Sequence, residues 1–151
     1  MAATASGFYG VYKTFHPSDG VPSAAGRARY APYVSPALEN LLGDADGAEV
    51  RFAKANKGSP PLIEGDLFTS LFEGATSLAV GACEGDDRTG HCTVNLEYVT
   101  AGEKPTKWND TVYLVKSEAG WRVDDVAYGG TWVFGNKGRL SETLKQVIGF
   151  Q

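Results

Sequence analysis

The hydrophobic positions in the first third of the chain recur at helical spacing. Phe8, Val11, Tyr12 and Phe15 stand at i, i+3, i+4 and i+7, which predicts a helix with a buried aromatic stripe, ended by Pro17 and Gly20. A short helical piece is expected from Ala24 to Tyr33. Ser35-Pro36 then offers an N-cap followed by proline at the first helical position. Leu38, Leu41, Leu42, Ala45 and Phe52 carry that helix's apolar face toward Asn56. Gly43 and Gly47 interrupt it, each costing about 1 kcal/mol relative to alanine, so a break or kink is expected at 43–47. Gly58-Ser59-Pro60-Pro61 stops helical structure.

From residue 75 the period falls from 3.6 to 2. Strands are expected over Thr76–Cys83, Cys92–Thr100, Lys107–Lys116 and Trp121–Tyr128, with turns at Gly102-Glu103-Lys104-Pro105 and Ser117-Glu118-Ala119-Gly120. Leu140, Leu144, Val147 and Ile148 close the chain on a short helix. Helices first and an antiparallel meander second define an α+β fold, with a curved sheet of about four strands packed on the helices. Two places conflict with strict alternation. Facing Cys83 with Cys92 sets Leu78 and Val80 opposite Asn95 and Glu97, so either a bulge shifts the register or small Ala79 and Gly81 make room for a helix. Alternation through Trp121 and Val123 would bury Asp125 next, and a bulge at Asp124-Asp125 is expected to prevent it.

Composition adds exclusions. With 42% hydrophobic and 21% charged residues, the 151-residue chain reads as one globular domain, and no apolar run reaches the roughly 18 residues of a membrane span. The net charge of -4 is spread evenly, each half carrying two more acids than bases. Without a basic patch, nucleic acid is excluded as a partner. The two cysteines flank a polar turn centred on Asp87 and Arg88, and we expect a Cys83–Cys92 disulfide across that hairpin rather than two reduced thiols. Such a bond persists in an oxidising compartment. Residues 1–6 lack the charged start and apolar stretch of a signal peptide, while Ala3, Thr4 and Ala5 resemble the neighbourhood of a signal-peptidase cut. The expectation is an exported mature domain, periplasmic or secreted, with 1–6 as a disordered remnant and 7–151 as the domain.

Asp66-Leu67-Phe68-Thr69-Ser70, a cysteine-bearing hairpin, Asp110 to Val115, and Trp121-Arg122-Val123-Asp124-Asp125-Val126-Ala127-Tyr128 follow one another in this order. That combination resembles exported proteobacterial domains of unknown function in the nuclear transport factor 2-like, or cystatin-like, superfamily, over nearly the whole span from Phe8 to Ile148. The resemblance implies a cone in which helices are wrapped by a strongly curved antiparallel sheet. The superfamily includes isomerases, dehydratases, ligand binders and dimerisation modules, so it implies no single activity.

Motifs with a fixed chemistry are missing. No serine sits in a Gly-x-Ser-x-Gly elbow, and Gly135-Asn136-Lys137-Gly138 lacks the ending by which a phosphate loop holds magnesium. Asp44-Ala45-Asp46-Gly47 begins like a calcium loop, but its glycine comes too early and Ala55 stands where the glutamate ligand belongs. His16 and His91 are too far apart for a local zinc motif, so neither metal nor cofactor is expected.

In a cone, a carboxylate between the concave face and the first helices would have a raised pKa suited to moving protons. Asp66, Asp124 and Asp125 are the candidates, with Tyr128 and Tyr12 as hydrogen-bond donors to an oxyanion. Their structural readings are a turn cap for Asp66, solvent exposure at the bulge for one of the paired aspartates, and core for the tyrosines. Tyr12, His16, Tyr128, Trp132 and Phe134 are the candidate ligand or partner contacts, with Trp132 and Phe134 set among glycines either as a binding surface or as a plug for the cone. The leading expectation is a non-enzymatic binding domain for a small apolar ligand in the cone or for a protein partner. The alternatives are a cofactor-free proton-transfer enzyme and a periplasmic toxin inhibitor. A homodimer through an exposed sheet face is also allowed.

Overall fold

The computed structural model describes residues 1–15 and 20–150. Its elements run α1 (Ala2–Thr14), α2 (Ala24–Tyr30), α3 (Pro36–Ala55), β1 (Ser77–Gly85), β2 (Thr89–Tyr98), β3 (Thr106–Ser117), β4 (Gly120–Ala127) and α4 (Leu140–Ile148). The strands pair in sequence order as an antiparallel meander, giving the α+β architecture of helices on a curved four-stranded sheet.

Helix α1 begins earlier than its aromatic stripe suggested. Residues 2–6, expected to be a disordered remnant, form its first turns, with Ala5 fully buried and the Thr4 hydroxyl donating to the Trp121 carbonyl at 3.2 Å. The buried face is therefore Ala5, Phe8, Tyr9 and Tyr12, with Val11 and Phe15 at its margin. The methyl of Ala5 continues the stripe because it lets the helix approach the sheet closely. In α3 the Ser35 side chain accepts from the Leu38 N–H at 3.1 Å, as an N-cap should. The helix runs unbroken through Gly43 and Gly47, against expectation, because Leu38, Leu42, Ala45 and Ala48 stay in the core along its length. The Arg27–Asp46 ion pair at 2.7 Å ties its middle to α2. Tertiary burial outweighs the glycine penalty here.

Both alternation conflicts resolve as bulges. Between Val80 and Cys83 the register of β1 slips by one residue, so Leu78 faces Leu96, Val80 faces Val94, and Cys83 still faces Cys92, to which it is disulfide-bonded. In β4 the slip puts Val123 opposite Leu114 and Val126 opposite Val112, both pairs buried, and sets Asp125 on the other side of the sheet opposite Tyr113, where, against expectation, it is still buried at 8% exposure beneath the start of α4. The outer edge of β4 is covered: the Ser35 N–H donates to the Val123 carbonyl at 2.8 Å, and just beyond the strand the Tyr128 N–H donates to the Gly138 carbonyl at 3.0 Å. None of the described helices is long and apolar enough to cross a membrane.

Candidate functional site

The connection from α3 to β1 has no regular structure around residues 62–76, yet Leu67, Phe68, Thr69, Ser70 and Leu71 are buried. A buried loop must have partners for its peptide groups, because each one left dry and unpaired costs about 1–3 kcal/mol. Those partners are mostly side chains. The Glu49 carboxylate accepts from the Leu62 and Ile63 N–H groups at 2.7 and 3.0 Å. Asn136 donates to the Asp66 and Thr69 carbonyls, both at 2.7 Å, and Tyr128 donates to the Leu67 carbonyl at 2.6 Å.

Two buried aspartates organise this loop from either side. Asp66 accepts from the Phe68 N–H at 3.1 Å, from the Thr69 hydroxyl and from the Tyr12 hydroxyl at 2.9 Å, and Tyr12 in turn accepts from the Ala75 N–H at 2.9 Å. Asp110, on the inward face of β3, accepts from the Ser70 N–H at 3.0 Å and its hydroxyl, from the Gly129 N–H at 2.8 Å and from the Trp108 indole at 3.3 Å. Gly129 is required for that approach, since a Cβ there would lie 1.9 Å from the Asn109 carbonyl oxygen.

Burial raises the pKa of both carboxyls, since a charge surrounded by protein loses its hydration. For Asp66 the value reaches about 7, even though its three donors favour the ionised form. Tyr12 and Tyr128 are also raised by burial, so each is a neutral phenol near neutral pH. Tyr9 is fully buried and its hydroxyl has no hydrogen-bond partner among the described residues.

Asp66 lines a cavity of about 250 Å³ together with Tyr12 from α1, Phe15 just beyond its end, Gly20 to Ser23, Gly26 and Tyr30 from α2, and Phe68, among the described residues. The rings are connected: Phe15 lies near-parallel to Tyr30 at 5.9 Å, and Tyr30 meets Phe68 at 4.9 Å with the two planes tilted by 32°. This cavity is not where the cone predicted one. The concave face of the sheet is filled by Phe8, Tyr9, Val94 and Val112, all fully buried, which leaves the opening to one side between α1, α2 and the loop.

The sequence candidates separate accordingly. Tyr12 and Asp66 meet at the cavity, and His16 lies outside the described residues. Asp124 accepts from the Ser35 hydroxyl at 2.7 Å and so joins the N-terminus of α3 to β4. Asp125 accepts from the Ser141 N–H at 2.9 Å and hydroxyl at 2.6 Å, and thereby caps α4, with Arg139 at 3.8 Å. Tyr128 holds the loop. Trp132 packs edge-on against Trp108 at 5.3 Å, whereas Phe134 is 89% exposed. Asp110, Thr69, Ser70 and Asn136 were missed as a group. Of these, Asp110 had a signal: it alone is charged in the inward register Trp108, Asp110, Val112, Leu114. Among the described residues no cluster of His, Cys, Asp and Glu could hold a metal ion.

No model of a known protein family matches the chain, and no curated protein is significantly similar to it in sequence.

Proposed function

We propose that this protein is a non-catalytic binding domain of an oxidising, extracytoplasmic compartment, holding a small, flat, mainly apolar molecule between α1, α2 and the 66–72 loop. One observation carries the reading: an aromatic-lined cavity of about 250 Å³ whose described lining includes one carboxyl, Asp66, beside its partner Tyr12. That is the usual composition of a ligand site, mostly apolar with a few convergent polar groups, in a volume just below the usual range of about 300–1,000 Å³ and so suited to a small molecule. Tyr30 and Phe68 offer ring surface to the apolar body, and Asp66 serves as the hydrogen-bonding end. The Cys83–Cys92 disulfide supports the compartment, since such bonds persist outside reducing cytosol. The family resemblance and export are parts of this same proposal.

A second reading, a proton-transfer enzyme, is favoured by one feature: Asp66 titrates at about 7 beside a phenol. In it Asp66 would be the base and Tyr12 the hydrogen-bond donor. Native mass spectrometry of the protein recovered gently from its own cells separates these ideas. The binding reading expects a small adduct on the oxidised chain that is lost on Val21→Trp, which fills the cavity, and retained without turnover. Chains that never carry an adduct, with or without the substitution, refute it. Chemical conversion of the adduct molecule, abolished by Asp66→Asn, would establish the enzyme instead.

A further inference from the structure

Exposed apolar side chains concentrate away from the cavity, at the end of the sheet where the 98–106 turn approaches the 131–137 loop. Val133 and Phe134 are 81% and 89% exposed, and Phe72 and Val99 are 47% and 42% exposed. Next to them lies a cleft of about 340 Å³ lined by Leu71, Phe72, Tyr98, Trp132 and Phe134, with Glu73, Glu103 and Lys104 on its rim. Scattered exposed apolar residues need no explanation, but a contiguous group of aromatic rings around a cleft marks a binding surface.

The loop presenting Phe134 is firmly held. Trp132 packs on Trp108, Lys137 donates to the Trp132 carbonyl at 2.6 Å, and Asn136 donates to the Ser70 carbonyl at 2.9 Å. Phe134 is therefore displayed from a fixed frame, so little ordering entropy opposes its docking. The patch also carries both halves of a contact: the Phe134 ring, 89% exposed although it forms part of the cleft wall, and the remaining rings of the cleft, Phe72, Tyr98 and Trp132, able to receive a second ring. Its rim carries both signs of charge, with Lys104 sharing it with Glu73 and Glu103. A surface that contains its own complement in shape and in charge is what a two-fold interface between identical chains requires.

We propose that two copies of this chain pair about a two-fold axis at this cleft, the Phe134 ring of each entering the cleft of the other and Lys104 of each facing the glutamates of its partner. The cleft and the cavity share no lining residue, although the 66–72 loop borders both, with Asp66 and Phe68 at the cavity and Leu71 and Phe72 at the cleft, so substitutions at Phe134 and Lys104 test pairing without touching the cavity lining.

Sedimentation equilibrium on the disulfide-bonded protein tests the proposal, using the native chain, Phe134→Asp, Lys104→Glu and the Lys104→Glu/Glu103→Lys pair. The native chain is expected to dimerise in the micromolar range. Phe134→Asp should weaken this at least about tenfold, the effect of removing an interface anchor. Lys104→Glu should weaken it by a smaller factor, partly restored in the exchanged pair, as rim charges contribute little. Phe134 is 89% exposed, so its replacement removes no core contact, and an unchanged near-ultraviolet spectrum confirms the fold. A native chain that stays monomeric through the micromolar range overturns the proposal. So does a dimer indifferent to Phe134→Asp, or a monomer that needs Phe134 only to bind a different protein.

Discussion

Replacing Asp66 by Asn should change how stability depends on pH more than it changes stability itself. The buried Asp66 carboxyl titrates at about 7, against an ordinary value of 3.8 in an unfolded chain. The folded state therefore binds this proton more tightly than the unfolded state between those two values. Its contribution is fully present below about pH 4 and is lost as pH rises to about 7. At about 1.4 kcal/mol per pH unit, that interval corresponds to about 4 kcal/mol, a large share of the roughly 5–15 kcal/mol of a typical domain. Asn cannot titrate. Its amide oxygen keeps the bond from the Phe68 N–H, and its NH2 group meets the Tyr12 and Thr69 hydroxyls, which can turn to accept. Urea unfolding, followed by tryptophan fluorescence from pH 4 to 8, measures both proteins. The native chain's stability, relative to Asp66→Asn, should fall by up to about 4 kcal/mol between pH 4 and 7 and then level. Groups that do not act on Asp66 cancel in this difference, among them Asp86, which is lowered by the Thr89 and Arg88 N–H groups in its turn; Asp110, also raised by burial, raises Asp66 and remains part of the difference. Parallel profiles for the two proteins, or a difference that grows with pH, would show that burial does not govern Asp66.

Two further outcomes follow from the packing. Gly129→Ala sets a methyl 1.9 Å from the Asn109 carbonyl oxygen, which forces β3 and the 129–130 turn apart and takes the Gly129 N–H from Asp110. A loss of about 2–4 kcal/mol in urea melts is expected, and a loss under about 0.5 kcal/mol would contradict the tight approach. Reducing the Cys83–Cys92 bond opens a loop with a sequence separation of 9, for which chain entropy gives about 2.7 kcal/mol. The urea midpoint should therefore drop with reductant in the native chain and not in a Cys83→Ser/Cys92→Ser variant.

Much of the fold is legible along the chain because its signals are local. Ser35-Pro36 starts α3 through a bond reaching three residues, to Leu38, and the 2-residue period from Ser77 to Ala127 specifies the meander whatever the helices do. Even the two bulges announce themselves as breaks in alternation at Cys83 and at Asp124-Asp125, because burial of one face leaves no other register. The continuity of α3 through Gly43 and Gly47 does not show, since a glycine's helix penalty is local while the burial that overrides it comes from elsewhere in the fold. The helical start at Ala2 is hidden for the same reason.

The candidate site belongs almost wholly to tertiary structure. Asp66 meets Tyr12 across 54 positions, and Asp110 meets Ser70 across 40, separations at which residue spacing carries no information about contact. What the sequence by itself determined is the order and type of the elements, the meander and the Cys83–Cys92 pairing that joins β1 to β2, with the β1 register left open between a bulge and an unbroken strand. Only the packing of α1 rings into the concave face moved the cavity from the sheet to the α1–α2 side, and only that move made Asp66, rather than Asp124 or Asp125, the carboxyl at its edge. The physical reason is volume. Periodicity says which face of an element is apolar, but whether facing side chains fill the space between two elements or leave an opening depends on all of them at once.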